Sequence, residues 1–172
     1  MVSRYLADEN ERLATLARYR VLDTECEESF DRIARIASVS LQCPIALVSL
    51  VDKNRQWFKA RVGLDVSQTP RDISFCTHAI ATDEIFSVED ATKDERFSKN
   101  PLVNGAPNIK FYAGAPLITP EGHRLGTLCV IDRSAHKLSL AQSQLLTDLA
   151  VIVMETLELR RLRLDISDMK AA

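Results

Sequence analysis

Apolar residues recur along this chain with two different periods. From Ser3 to Tyr19, Leu6, Leu13, Leu16 and Ala17 return at helical spacing among charged neighbours, with Ser3 available as a cap. A second helical stripe, Phe30, Ile33, Ala34, Ala37 and Leu41, ends at Cys43 and Pro44, because a residue before proline disfavours helix. The pattern then becomes extended. Ile45 to Val51 is a short apolar run, DKNR is a polar turn and QWFKARV resumes the run, which predicts a hairpin. After a Gly- and Pro-bearing stretch from Gly63 to Asp72, SFCTHAIA predicts a short helix capped by Ser74, and Ile85 to Val88 predicts a third strand. Glu89 to Asn108 is polar and long for a connection, so it is expected to be mobile or functional. Phe111 to Leu117 and Leu125 to Ile131 are two central strands joined by TPEGHR. Ser139 to Met169 is one long helix. From Leu138, just before it, Leu145, Ile152, Leu159 and Ile166 recur every seventh residue, and Leu159, Leu162, Ile166 and Met169 form a distal seam of coiled-coil type.

This order of elements predicts an α+β fold, an antiparallel sheet with helices packed on one face, since tight hairpins join antiparallel strands and parallel pairs need long crossovers. Composition narrows the classes. With 46% hydrophobic and 27% charged residues in 172, and only five Gly and six Pro, the chain is globular rather than disordered or low-complexity. A net charge of −2 supplies no field for nucleic acid or anionic lipid. The amino terminus is charged and no run of about 18 apolar residues occurs, so no membrane partner and a cytoplasmic location are expected. Cys26, Cys43, Cys76 and Cys129 show neither a CxxC pair nor metal-finger spacing; they read as free thiols, with no metal site.

The strings ERLATLARYRVLDT, FDRIARIA, LVSLVDKNRQWFKARVGL, TPRDISFCTHAI, DATKDERFSKNPLV, IKFYAGAPL and LGTLCVID occur in this order. Together they resemble a bacterial GAF domain of the group found before sensor histidine kinase or GGDEF output domains. The resemblance implies a six-stranded antiparallel sheet with a helix layer behind it and a small-molecule pocket on the other face. It names no ligand and no cofactor, because members bind different small molecules or only dimerise. On this reading residues 1–25 are an N-terminal helix, 26–157 the GAF core and 158–172 a helical extension.

Cys76 and His78 invite a nucleophile, a metal site or a bilin anchor, but residues two apart on a helix point to nearly opposite sides and do not converge on one atom. Bilin-binding relatives carry Cys and His adjacent; here Thr77 separates them. Cys76 reads as a buried thiol of high pKa. His123 and His136 fall in turns and read as solvent-exposed, and Asp132 with Arg133 as a turn signal. Free methionine-R-sulfoxide reductases share the fold and use paired thiols, yet DATKDERFSKNPLV lacks a cysteine where those enzymes place theirs, so the chain is expected not to be an enzyme. Arg71, Asp90, Phe97, Trp57 and Tyr112 bring polar heads and aromatic bodies near the long loop. The expected ligand-binding set is Arg71, Cys76, His78, Asp90 and Tyr112. The expected function is a sensory domain that binds an unidentified small molecule and signals through its terminal helices, as a homodimer, to a histidine kinase or GGDEF output domain. A ligand-free dimerisation scaffold is the alternative. The Arg160, Arg161 and Arg163 cluster, alternating with Glu158, Asp165 and Asp168, reads as a solvated helix face.

Overall fold

The computed structural model describes the backbone of residues 2–171 and the side chains of residues 8–171, so the Ser3 cap and Leu6 lie outside the described side chains. Helices α1 (Val2–Arg18) and α2 (Glu28–Leu41) precede the hairpin of β1 (Ile45–Val51) and β2 (Arg55–Val62). A short edge strand β3 (Gln68–Pro70) follows, then a 3-10 turn (Arg71–Ile73), α3 (Phe75–Ala79) and β4 (Phe86–Val88). Helix α4 (Pro101–Asn104), the hairpin of β5 (Phe111–Ile118) and β6 (Arg124–Asp132), and α5 (Leu140–Ala171) complete the chain. The sheet runs β3-β2-β1-β6-β5-β4, and every pair is antiparallel.

Alternation along the central strands separates two cores. Ala46, Val48 and Leu50 of β1, Leu128 and Val130 of β6, and Phe111, Ala113 and Ala115 of β5 face the three long helices. On α2 the buried residues are Phe30, Ile33, Ala34, Ala37 and Leu41, the stripe read from the sequence. Ile45, Leu47, Cys129, Ile131 and Tyr112 point to the opposite face, where α3 and the segment before β5 cover them. Strand β3 leaves no pattern in the sequence, because three residues ending in proline carry no alternation. The long loop is tied down rather than loose: Asn100 accepts from Leu102 N at 2.8 Å to cap α4 and donates to Ile73 O at 2.9 Å, while Phe97 is buried.

Helix α5 runs 32 residues without a break. Arg160 is not on a solvated face. It donates to Glu27 at 2.7 Å and to the Tyr19 and Arg20 carbonyls at 3.0 Å, and Glu27 also pairs with the fully buried Lys59 at 2.8 Å. Arg20 in turn pairs with Asp165 and Asp168, and the Tyr19 hydroxyl donates to Glu158. The distal helix is therefore bound to the α1–α2 connector by charge-assisted hydrogen bonds. Along it Ile152, Leu159, Leu162, Ile166 and Met169 are exposed. No described helix is long and apolar enough to cross a membrane.

Candidate functional site

A cavity of about 380 Å³ lies between the sheet and the covering segment. Ile45 and Leu47 of β1, Phe58 of β2 and Ile131 of β6 supply an apolar floor, and Leu64, Leu102 and Ile109 close over it. The volume is within the range of small-molecule sites. Asp65 and Arg133, both exposed, are its charged members, and Arg133 Nε is engaged with Pro107 O at 3.1 Å.

At the inner end of this cavity Cys76, Cys129, Tyr112 and Gln56 meet. Ser74 starts α3 by accepting from Thr77 N at 3.2 Å, which turns Cys76 toward the sheet. Tyr112 donates its hydroxyl to Cys76 Sγ at 3.3 Å, and Thr127 donates to the same sulfur at 3.2 Å. Gln56 Oε1 accepts from Ser74 at 2.7 Å and Ser49 at 3.3 Å, while its amide donates to Thr69 at 2.6 Å. Gly114 makes room for this arrangement: a Cβ there would land on the Tyr112 hydroxyl and lie 2.9 Å from its Cζ.

These groups set the ionisation of the thiols. Burial disfavours charge on Cys76, but hydrogen bonds from Cys129, Thr127 and Tyr112 converge on its sulfur and bring its pKa below the ordinary thiol value. Cys129 is held well above that value by its bond to Cys76 and by burial, and Tyr112 is pushed up by burial and by charge on Cys76. The expected burial of Cys76 is found, and the Tyr112 and Thr127 hydroxyls meet its sulfur.

Of the five sequence-derived site residues, Cys76 and Tyr112 share the cavity, and the other three stand elsewhere. Arg71 pairs with Glu9 of α1 at 2.6 Å and donates to Asp52 O at 3.1 Å, holding α1 to the sheet edge. Glu9 is pushed up by burial but brought down to about 2 by Arg12 and Arg71. His78 is exposed on the far side of α3, edge-on to Phe97 with centroids 4.9 Å apart; burial first, then Arg96, lowers its pKa. Asp90 accepts from Thr92 N at 3.1 Å and Oγ1 at 2.6 Å and pairs with Lys93 at 3.2 Å, a turn-forming role. Phe97 stacks on Phe75 at 4.0 Å beside Tyr112, and Trp57 faces the helix side. Gln56, Thr127 and Cys129 were not in the expected set. The signal available for the first two was a polar residue at an inward position of an otherwise apolar strand.

A model of the GAF domain family matches residues 25–157. A cyclic di-GMP phosphodiesterase of Pseudomonas aeruginosa is 51% identical over 129 residues, which is 75% of this chain but 22% of that protein. The chain thus spans about a fifth of that relative. Among solved structures, the GAF domain from a Coxiella burnetii phosphoenolpyruvate-protein phosphotransferase superposes with a TM-score of 0.67 at 14% identity, covering 91% of this chain and 96% of that one. A free methionine-R-sulfoxide reductase from Neisseria meningitidis gives 0.65 at 18% identity, covering 90% of each. At such identities these structures establish the fold alone, a six-stranded antiparallel sheet with a long terminal helix. With a family match over most of its length and that fold beneath it, the chain belongs to the GAF domain family.

Proposed function

We propose that this GAF domain is a sensory module that binds a small, mostly apolar molecule in the cavity beneath Leu64, Leu102 and Ile109 and signals through α5. The observation that carries the reading is the cavity itself: a floor of rigid central strands, a lid of short irregular elements and a ligand-sized volume of about 380 Å³. Its inner polar groups already satisfy one another, and among the described residues no buried side-chain polar atom lacks a partner. Recognition therefore rests on shape and apolar contact, with Asp65 and Arg133 at the rim for any polar end.

We also place it outside catalysis. Cys76 and Cys129 are 2% and 0% exposed, and hydroxyl and thiol donors, with no base among them, surround the Cys76 sulfur. The relative of 51% identity supports an output in cyclic di-GMP turnover; the histidine kinase suggested by the sequence resemblance is the other candidate. The exposed seam Leu159, Leu162, Ile166 and Met169 supports a homodimer through α5. Phe75, Phe86, Phe97 and Tyr112 fill part of the same sheet face, which favours a ligand-free scaffold as the second reading.

Native mass spectrometry of protein purified from its own source reads both ligand and oligomer. The sensory reading expects a retained small molecule that is absent from Leu102→Trp, a cavity-filling variant, and a dimer that Leu162→Asp dissociates. A ligand-free dimer whose melting temperature does not change in a broad metabolite screen replaces it with the scaffold, and a ligand-free monomer overturns both.

A further inference from the structure

Three side chains outside the cavity converge where α2 ends, β6 ends and the connector to α5 begins. Cys43 Sγ lies 3.8 Å from His136 Nε2, and the same nitrogen lies 3.8 Å from Asp132 Oδ2. All three candidate ligand atoms fall within 4.8 Å of one another. A tetrahedral ion with bonds of about 2.0 to 2.3 Å to nitrogen, oxygen and sulfur separates its ligand atoms by roughly 3.3 to 3.6 Å. The two separations at His136 Nε2 need to contract by about 0.2 to 0.5 Å, and the third, at most 4.8 Å, by no more than about 1.5 Å, within the reach of side-chain rotation.

Backbone and ring contacts fix all three ligands, and the Cys43 thiol, which donates to Leu41 O at 3.5 Å, gives up that bond when it turns to the ion. Gln42 takes a left-handed conformation at the end of α2 and turns Cys43 inward; Cys43 N donates to Ser38 O at 3.1 Å, and Ser38 Oγ donates to Cys43 O at 2.7 Å. Asp132 uses its other oxygen, Oδ1, to accept from Ser134 N at 3.0 Å. The His136 ring stands edge-on against Phe111, with centroids 3.9 Å apart. Cys43 is buried, whereas Asp132 and His136 keep 19% and 33% side-chain exposure, so a fourth position opens to water.

We propose that Cys43, Asp132 and His136 form a three-ligand site for a divalent transition metal of the zinc class. One thiolate, one imidazole and one carboxylate suit that class and not calcium or magnesium, which take oxygen ligands alone. Binding forms the metal–sulfur bond and releases the thiol proton to solvent. The bound ion joins the connector that leads into α5 to the end of α2, so occupancy stiffens the root of the terminal helix.

The test is titration of the full chain carrying Cys26→Ser, which removes the exposed thiol, with Co2+ as spectroscopic probe and Zn2+ as competitor. The expected result is one Co2+ per chain with a sulfur-to-cobalt charge-transfer band and tetrahedral visible bands, both displaced by Zn2+. Cys43→Ser abolishes the band, and His136→Gln weakens binding at least tenfold. Zn2+ raises the melting temperature of the parent and of neither variant. Should Cys43→Ser fail to fold by circular dichroism, the partly exposed His136→Gln and Asp132→Asn carry the reading. Absence of the band at stoichiometric Co2+, its survival in His136→Gln at unchanged affinity, or its loss on replacing Cys76 instead would overturn the proposal.

Discussion

The two faces of the sheet are covered by different kinds of chain, and the difference explains where a ligand can enter. On one face α2 and α5 lay apolar stripes against Val48, Leu128, Val130 and Phe111, and α1 adds Leu16. Over the central strands the helices pack closely, and the space on this side, an open groove of about 1150 Å³, lies at the outer edge between β5 and α5. The other face is covered by α3, α4 and irregular chain, five residues being the longest helix among them. Short elements fix their own ends with caps and turns at Ser74, Asp90 and Asn100, and the space between them is the cavity. The helix side is therefore packed closely over the central strands and opens only at its β5–α5 edge, whereas the other side holds its cavity against the central strands themselves.

The largest expected effect tests this contrast directly. Leu128 on the helix face and Leu47 on the cavity floor are both buried on neighbouring central strands. Leu128→Ala should destabilise by about 4 kcal/mol, since a packed site cannot collapse around the void. Leu47 already borders open space and loses fewer partners, so Leu47→Ala should cost about 2 kcal/mol. Urea unfolding of both variants measures the difference, and equal costs would mean that the two faces are packed alike.

A smaller effect sharpens the account of the inner cavity. Gly114→Ala should cost about 1 to 3 kcal/mol, because its new methyl group displaces the Tyr112 hydroxyl from Cys76. In a Tyr112→Phe background the same substitution should cost less, as the nearest clashing atom is gone while the ring carbons remain close. A double-mutant cycle reads the coupling. Strictly additive costs would place the Tyr112 hydroxyl away from Gly114.

The smallest effect belongs to the clamp between α1 and the sheet edge. Arg12 and Arg71 hold Glu9 at about 2 in the folded chain against an ordinary value of 4.5. A lowered folded pKa contributes stability that is complete above about pH 4.5 and is lost as pH falls through about 2. The melting temperature of Glu9→Gln should lie slightly below that of the parent at pH 7, with the gap closing between pH 4.5 and 2. A gap independent of pH over that window would assign the loss to packing instead of charge.

Local pattern was enough for the α2 stripe, the strands β1, β5 and β6, the Ser74 cap and the motif strings of the family, because each depends on neighbours within a few residues. Cys76 and Tyr112 could be named as candidates for the same reason, one at a capped helix start and one in an apolar strand. What the local pattern could not decide was which distant side chains meet. Arg71 looked like a ligand-binding cation, yet α1 crosses the sheet edge and brings Glu9, 62 positions away, onto its guanidinium. His136 read as exposed, yet the antiparallel pairing of β1 with β6 sets the end of α2 beside the end of β6 and brings Cys43, 93 positions away, to within 3.8 Å of it. Periodicity records which face of an element is apolar; the order in which strands pair decides what lies opposite that face, and that order is fixed by the packing of the whole chain.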